Sequence, residues 1–267
     1  MELGLVGAGL SGRHFIFMED FPELPALLRD ALAQGKVYNP AGEKVPLKAN
    51  ISADEAALLH AAVRAIQPAV SLEVGFAHGV SALAILDALR INGRGRHHVA
   101  DPFQATYGYC GRAMVERAGL AEYFSFYERF AEDVIPGLPA LQFAFIDSSH
   151  LFDHTVSEFV MTDRKLEIGG VVGFHDMWME SQQSFIRYVL ANRAYEVWQP
   201  DGWPVAAAGG GAGWKKSIRS LAKRLPAADR WLAPEFLRPW NEFGLGNLVL
   251  LRKVANDDRD WKFHRRF

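Results

Sequence analysis

Cysteine is nearly absent from this chain: Cys110 is the single one among 267 residues. One thiol closes no internal disulfide and builds no thiolate metal site, so the sequence reads as cytoplasmic, from a reducing compartment. An excess of either charge is also missing, with 29 Lys plus Arg against 31 Asp plus Glu and a formal net charge of −2. That removes the global electrostatic basis for a nucleic-acid partner. No uncharged apolar run approaches the ~20 residues needed to span a bilayer. Met1-Glu2-Leu3 places an acid where a signal peptide would carry Lys or Arg, so neither insertion nor export is expected. Internal repeats are lacking too. What is plentiful is hydrophobic material, 49% of the residues, enough for one large core or two small ones and too much for a disordered or fibrous chain.

From about residue 52 to 199 helical periodicity alternates with short β-branched or aromatic runs, the pattern of a parallel sheet covered by helices. Ser52, with Glu55 three residues on, forms a capping box that opens a helix ending before Pro68. Strands are expected at 69–74, 97–101, 123–127, 141–147, 171–174 and 195–199. Helices are expected at 80–89, 108–118, 153–167 (ending at Gly169-Gly170) and 181–192, with a short one after Phe130. At Pro200 the pattern breaks. A Gly-rich hinge leads into a basic helix at 214–225, and a last strand at 247–254 is placed to pair antiparallel with the sixth. The expected division is an N-terminal arm and helix over 1–50 (a cap or dimer contact), a core over 51–199, an insertion over 200–245 and a last strand with a tail over 246–267.

Two glycine motifs compete. Gly7-Ala8-Gly9-Leu10-Ser11-Gly12 matches the dinucleotide fingerprint and makes a nicotinamide oxidoreductase the alternative function. Its partner acid, ~20 residues on, should end a strand, yet that distance falls on Asp30 within a helical run. The alternative is a flexible arm. The second motif, Glu73-Val74-Gly75-Phe76-Ala77-His78-Gly79-Val80-Ser81, does join an expected strand to an expected helix. Gly75 and Gly79 admit a ligand close to the backbone. The helix N-terminus and the Ser81 hydroxyl can hold a carboxylate, and Glu73 can accept from an ammonium directly or through water. Asp101, ending the next strand, is placed to accept from ribose hydroxyls. These features suit a nucleoside carrying an amino acid. The competing view is an ordinary strand-to-helix turn with a capped helix. His78 in that turn reads either as facing the cofactor or, as is commoner for a turn residue with no named partner, as solvent-exposed.

With Val99-Ala100-Asp101-Pro102-Phe103, Phe145-Ile146-Asp147-Ser148-Ser149-His150 and Gly169-Gly170-Val171-Val172-Gly173-Phe174-His175-Asp176, the motif at Glu73 resembles the successive motifs of class I S-adenosylmethionine-dependent methyltransferases. The branch most similar is that of catechol-type and macrocin or mycinamicin sugar O-methyltransferases, over residues 51–199. The resemblance implies an α/β Rossmann-like fold with a seven-stranded sheet, mostly parallel with the last strand antiparallel, and helices on both faces. It implies S-adenosylmethionine as cofactor, bound by Glu73, Gly75, Phe76, Gly79, Ser81, Asp101 and Asp147. Phe103 would line the adenine pocket, and Phe130 and Ala131 would contact the adenine edge. A metal-dependent relative would use Asp147, His175 and Asp176 to hold Mg²⁺ or another divalent ion.

His175 departs from that metal pattern, because Mg²⁺ prefers oxygen ligands whereas imidazole suits softer ions. The alternative is that the two aspartates position substrate and cofactor while His175 supports them. His150, where catechol-type relatives carry a lysine and the mycinamicin type a histidine, is the candidate base, since histidine titrates near neutral pH and can take a hydroxyl proton. The alternative is a helix cap. Asp147 is the second catalytic candidate. Met177, Trp178 and Met179, like Tyr107 and Tyr109, read equally as acceptor-pocket wall or as core, and nothing marks Cys110 as a nucleophile. The expected partner is a small-molecule acceptor, a sugar or a phenol, with homo-oligomers common among relatives. A noncatalytic protein that binds the cofactor or docks on a membrane is the rival of another class. Membrane contact through 214–225 ranks behind a lid or subunit contact, because the apolar face of that helix is short.

Overall fold

A computed structural model of the chain describes residues 24–203, 240 and 245–267. The motif at Gly7, the Gly-rich hinge and the basic helix expected at 214–225 lie outside the described residues. Helix α1 (Ala26–Gln34) leads into a small antiparallel hairpin, β1 (Lys36–Tyr38) and β2 (Lys44–Pro46). The hairpin was not among the sequence expectations. Its signal is the turn chemistry of Asn39-Pro40 and Gly42, and the Asn39 side chain closes the loop by accepting from the Glu43 amide at 2.9 Å.

The remaining elements form one doubly covered sheet. In chain order they are α2 (Ala53–Ile66), β3 (Val70–Val74), α3 (Val80–Asn92), β4 (Arg96–Ala100), α4 (Cys110–Arg117), β5 (Phe124–Tyr127) and α5 (Ala131–Val134). Then follow β6 (Leu141–Ile146), α6 (Phe152–Lys165), β7 (Leu166–Phe174), α7 (Glu180–Asn192), β8 (Tyr195–Val197) and β9 (Val249–Lys253). The strand order is β5-β4-β3-β6-β7-β9-β8, with β9 antiparallel to both neighbours. The expected Rossmann-like sheet with its antiparallel last strand is therefore the observed one.

Both faces are buried, which is why the strands read as nearly continuous apolar runs. In β6 the alternation sends Phe143 and Phe145 into the core under α2 and α3, while Ala144 and Ile146 meet the core under α6 and α7. α1 and the hairpin join the first of these cores through Leu28 and Val37, both with no exposed surface.

One boundary is corrected. The helix expected to run to residue 167 stops at Lys165, and β7 begins at Leu166. Leu141 pairs with Leu166 and Phe143 with Val171, so residues 167–170 loop out of the ladder. Gly169, at φ +88°, permits the excursion.

Candidate active site

Parallel strands present their carboxyl ends along one edge, and the crevice there collects the residues that follow β3, β4, β6 and β7. After β3 the chain turns at Gly75, whose φ of +88° favours glycine. A Cβ at this position would sit 2.1 Å from the Asp147 carbonyl oxygen, so only glycine lets the turn pass beneath β6. Asp101 clasps the turn from the other side. Its Oδ2 accepts from the amides of Phe76 at 3.1 Å and Ala77 at 3.0 Å and from the Gln104 side chain at 2.9 Å, and its Oδ1 accepts from the Phe103 amide at 2.7 Å. Asp101 was expected to serve a ribose; in this structure its carboxylate holds the loop.

Glu73 is also occupied within the protein. It has no exposed surface, and it accepts from the Ser81 hydroxyl and pairs with His97 Nε2 at 2.8 Å, while Nδ1 of His97 meets Ser71 at 2.9 Å. Burial pushes the Glu73 carboxyl up against the pull of His97 and Ser81. Direct contact with a ligand ammonium is closed to it, and its influence reaches the crevice through Ser81, which lines the cavity. Gly79 starts α3 with a left-handed backbone. Phe103 and Phe130 are half exposed, with ring centroids 5.9 Å apart and edge to face, and Ala131 lies buried beside them at the start of α5. His78 differs from expectation: it is buried, edge-on to Tyr107 at 5.2 Å, and burial lowers its pKa.

A second cluster in the crevice is built on Asp147 after β6 and on His175 and Asp176 after β7. His175 Nδ1 lies 3.2 Å from Asp147 Oδ1 and 3.5 Å from Asp176 Oδ1. His150 Nε2 lies 3.1 Å from Asp176 Oδ2 and 3.6 Å from Asp147 Oδ1. His150 does not cap α6, whose N-cap is Leu151 without a side-chain bond. Both His150 and Asp176 have φ +56°, a conformation a non-glycine residue adopts only where its surroundings impose it. For His150 the constraint is visible, because its carbonyl accepts from Ser181 and Gln182 of α7, each at 3.0 Å.

Two residues missed from the sequence complete this cluster. Glu55 caps α2 with one oxygen, accepting from the Ser52 amide at 2.6 Å, and points the other at His175 Nε2, 3.4 Å away. Asn247 donates to that same Glu55 oxygen at 3.0 Å and lies 3.0 Å from His175 Nε2. Burial opposes charge on both partners, but their bonds and mutual attraction win: Glu55 is drawn down to about 2 and His175, flanked by Asp147 and Glu55, is pushed up to about 10.

Met177 and Trp178 part ways. Met177 is core, whereas Trp178 is 72% exposed and donates from Nε1 to Asp176 Oδ1 at 2.9 Å. Gly75, Phe76, Ser81, Tyr107, Asp147, His150, His175 and Asp176 share one cavity of about 440 Å³, bordered by Lys48, Asn50 and Ile51 of the segment before α2. Cys110 is buried and its thiol is pushed up by burial, which agrees with an inert side chain.

A family model described as a methyltransferase domain matches residues 72–177. Among solved structures it is similar to a putative O-methyltransferase from Klebsiella pneumoniae, with 18% identity over 66% of this chain and 83% of that one and a TM-score of 0.54. A methyltransferase from Geobacter sulfurreducens matches at 14% identity over 77% of this chain and 81% of its own, with a TM-score of 0.52. An O-methyltransferase from Bacillus cereus, in complex with SAH, matches at 16% identity over 56% and 74%, with a TM-score of 0.50. At such identities the likeness is one of fold. No curated protein matches the chain in sequence. The methyltransferase domain match takes in the glycine turn, Asp101, Asp147, His150 and the His175-Asp176 pair, whereas Glu55 and Asn247 fall outside it. Among the described residues no helix is long and apolar enough to cross a membrane.

Proposed function

We propose that the protein transfers the methyl group of S-adenosylmethionine to a hydroxyl oxygen of a small molecule, a sugar or a phenol, with a divalent cation at Asp147, His175 and Asp176. The observation that carries the proposal is the single cavity, in which a glycine turn suited to a nucleoside amino acid adjoins a histidine between two carboxylates. The sequence resemblance to sugar and phenol O-methyltransferases supports the acceptor class.

The donor set fits a cation: one ligand atom each from Asp147, His175 and Asp176 lie within 4.8 Å of one another. An imidazole beside two carboxylates suits Mn²⁺, Fe²⁺, Co²⁺ or Zn²⁺ better than Mg²⁺. When bound, such an ion lowers the pKa of a hydroxyl and orients its oxygen.

The chain's own residues do the rest. The glycine turn and Ser81 hold the amino-acid end of the cofactor, and Phe103 and Phe130 offer an apolar seat for its base. As the acceptor oxygen forms its bond to the methyl carbon, the carbon–sulfur bond breaks and its electron pair stays on sulfur. The hydroxyl proton passes to the imidazole of His150, and the imidazolium so formed is stabilised by Asp176 and Asp147. Holding both reactants in line removes much of the entropic barrier.

Calorimetric titration with S-adenosylmethionine, followed by incubation of the methyl-labelled cofactor with a panel of phenols and sugars, tests the reading. Binding heat and label on an oxygen are expected. Absence of binding, or label on nitrogen or carbon, overturns it.

A further inference from the structure

We infer that Lys48 is a cofactor-binding residue whose ammonium pairs with the carboxylate on the amino-acid end of S-adenosylmethionine. The inference rests on the cofactor reading given above and concerns a residue outside 72–177, where the methyltransferase domain model matches.

The amino-acid end of that cofactor carries an ammonium and a carboxylate, and each calls for a partner of opposite character. The sequence assigned the carboxylate to the Ser81 hydroxyl. In the structure this hydroxyl donates to Glu73, so Ser81 keeps only lone pairs for a ligand, which suit the ammonium and not the carboxylate. Two amides of the glycine turn are also engaged, those of Phe76 and Ala77 by Asp101. A donor for the carboxylate has to come from elsewhere in the cavity. Among the described residues that line it, Lys48 is the one lysine or arginine. Its ammonium makes no hydrogen bond or ion pair with any described residue.

The segment that carries Lys48 is fixed against the start of α3. His78, just before Gly79, is buried and donates to the backbone of Ala49. Ile51, three residues beyond Lys48, is buried in the core that α3 shares. Burial holds the His78 pKa down, and the charge of Lys48 beside it adds to the effect. His78 is therefore uncharged at neutral pH, and the attraction for an anion at this end of the cavity falls to Lys48. The lysine is exposed, and an exposed pair in water is weak. A cofactor that fills the cavity displaces water from the pair and strengthens it.

The test is calorimetric titration of the full chain with two ligands, S-adenosylhomocysteine and S-adenosyl-3-thiopropylamine, which differ only by the carboxylate. The wild-type chain is expected to prefer S-adenosylhomocysteine. Lys48→Gln is expected to weaken that ligand roughly 5- to 30-fold, with the deficit shrinking as salt is added. The amine ligand should bind Lys48→Gln as tightly as wild type or more tightly, because a repulsion between two ammonium groups is removed. Lys48→Arg should restore most of the preference. Lys44→Gln removes the same charge from the neighbouring hairpin, outside the cavity, and should match wild type with both ligands.

An equal loss for both ligands in Lys48→Gln would make Lys48 a structural residue and overturn the pairing. So would undiminished S-adenosylhomocysteine binding in that variant, or a wild-type chain that binds the two ligands alike. A wild-type chain that binds neither S-adenosylmethionine nor S-adenosylhomocysteine would instead remove the cofactor reading itself, and this inference with it.

Discussion

Gly75 passes so close beneath Asp147 that a single added carbon would fall 2.1 Å from the Asp147 carbonyl oxygen. The turn proposed to cradle the cofactor and the strand end that carries Asp147 therefore form one rigid joint. Gly75→Ala must both adopt φ near +88° and push the backbone of Asp147 aside. A loss of about 2 to 4 kcal/mol of stability is expected from strain and overpacking together, with S-adenosylmethionine affinity falling in parallel. Urea unfolding and calorimetry on the same variant check it; a wild-type midpoint and isotherm would show that the joint is softer than the geometry implies.

Asp101 carries the same logic from the other side of the turn. Its carboxylate satisfies three backbone amides and one side-chain amide. Asp101→Ala leaves buried N–H groups without partners, each costing about 1 to 3 kcal/mol. Stability should drop before any ligand is added, and cofactor affinity should drop further because the turn loosens. A variant that loses affinity with its unfolding midpoint intact would return Asp101 to a purely ligand-binding role.

The strands were legible because burial on both faces writes them as apolar runs, and the glycine turn because Gly75 and Gly79 sit where one such run gives way to a helix. The site was legible only where its residues lie within motifs. Glu55 showed itself as a helix cap, which it is, but nothing local reveals that its second oxygen meets Asn247, 192 residues away in the chain. Asp101 was read for its charge, although its partners are backbone amides that no side-chain pattern displays. The end of α6 was misplaced because Leu166 and Ile168 continue an apolar pattern as well in a strand as in a helix.

The Glu55–His175 pair sets a pH window for the cation-free protein. His175 is pushed up from 6.5 to about 10, so its contribution to stability is complete below about pH 6.5 and is lost as pH rises toward 10. Glu55 is drawn down from 4.5 to about 2, so its contribution is complete above about pH 4.5 and is lost as pH falls toward 2. The melting-temperature difference between wild type and His175→Gln, measured in chelator, should therefore be largest between about pH 4.5 and 6.5. A difference that grows steadily up to pH 9 would mean that His175 is neutral in the folded protein.

His150 is held by its backbone and aimed by its neighbours, which separates its chemistry from its placement. Its carbonyl is fixed by Ser181 and Gln182, and its Nε2 faces Asp176 and Asp147. His150→Gln fills nearly the same space and cannot take a proton, so kcat should fall roughly 10²- to 10⁴-fold while cofactor affinity, set by the glycine turn, is retained. His150→Lys should recover part of the rate with its optimum moved to alkaline pH, because an amine becomes a base only once deprotonated. Gln182→Ala leaves the imidazole intact but frees one restraint on a backbone at φ +56°, and should cost less in kcat than the glutamine variant. Steady-state kinetics across pH on the three variants distinguishes a base from a wall of the pocket: full kcat in His150→Gln, or a lysine variant with the wild-type pH profile, would remove His150 from proton transfer.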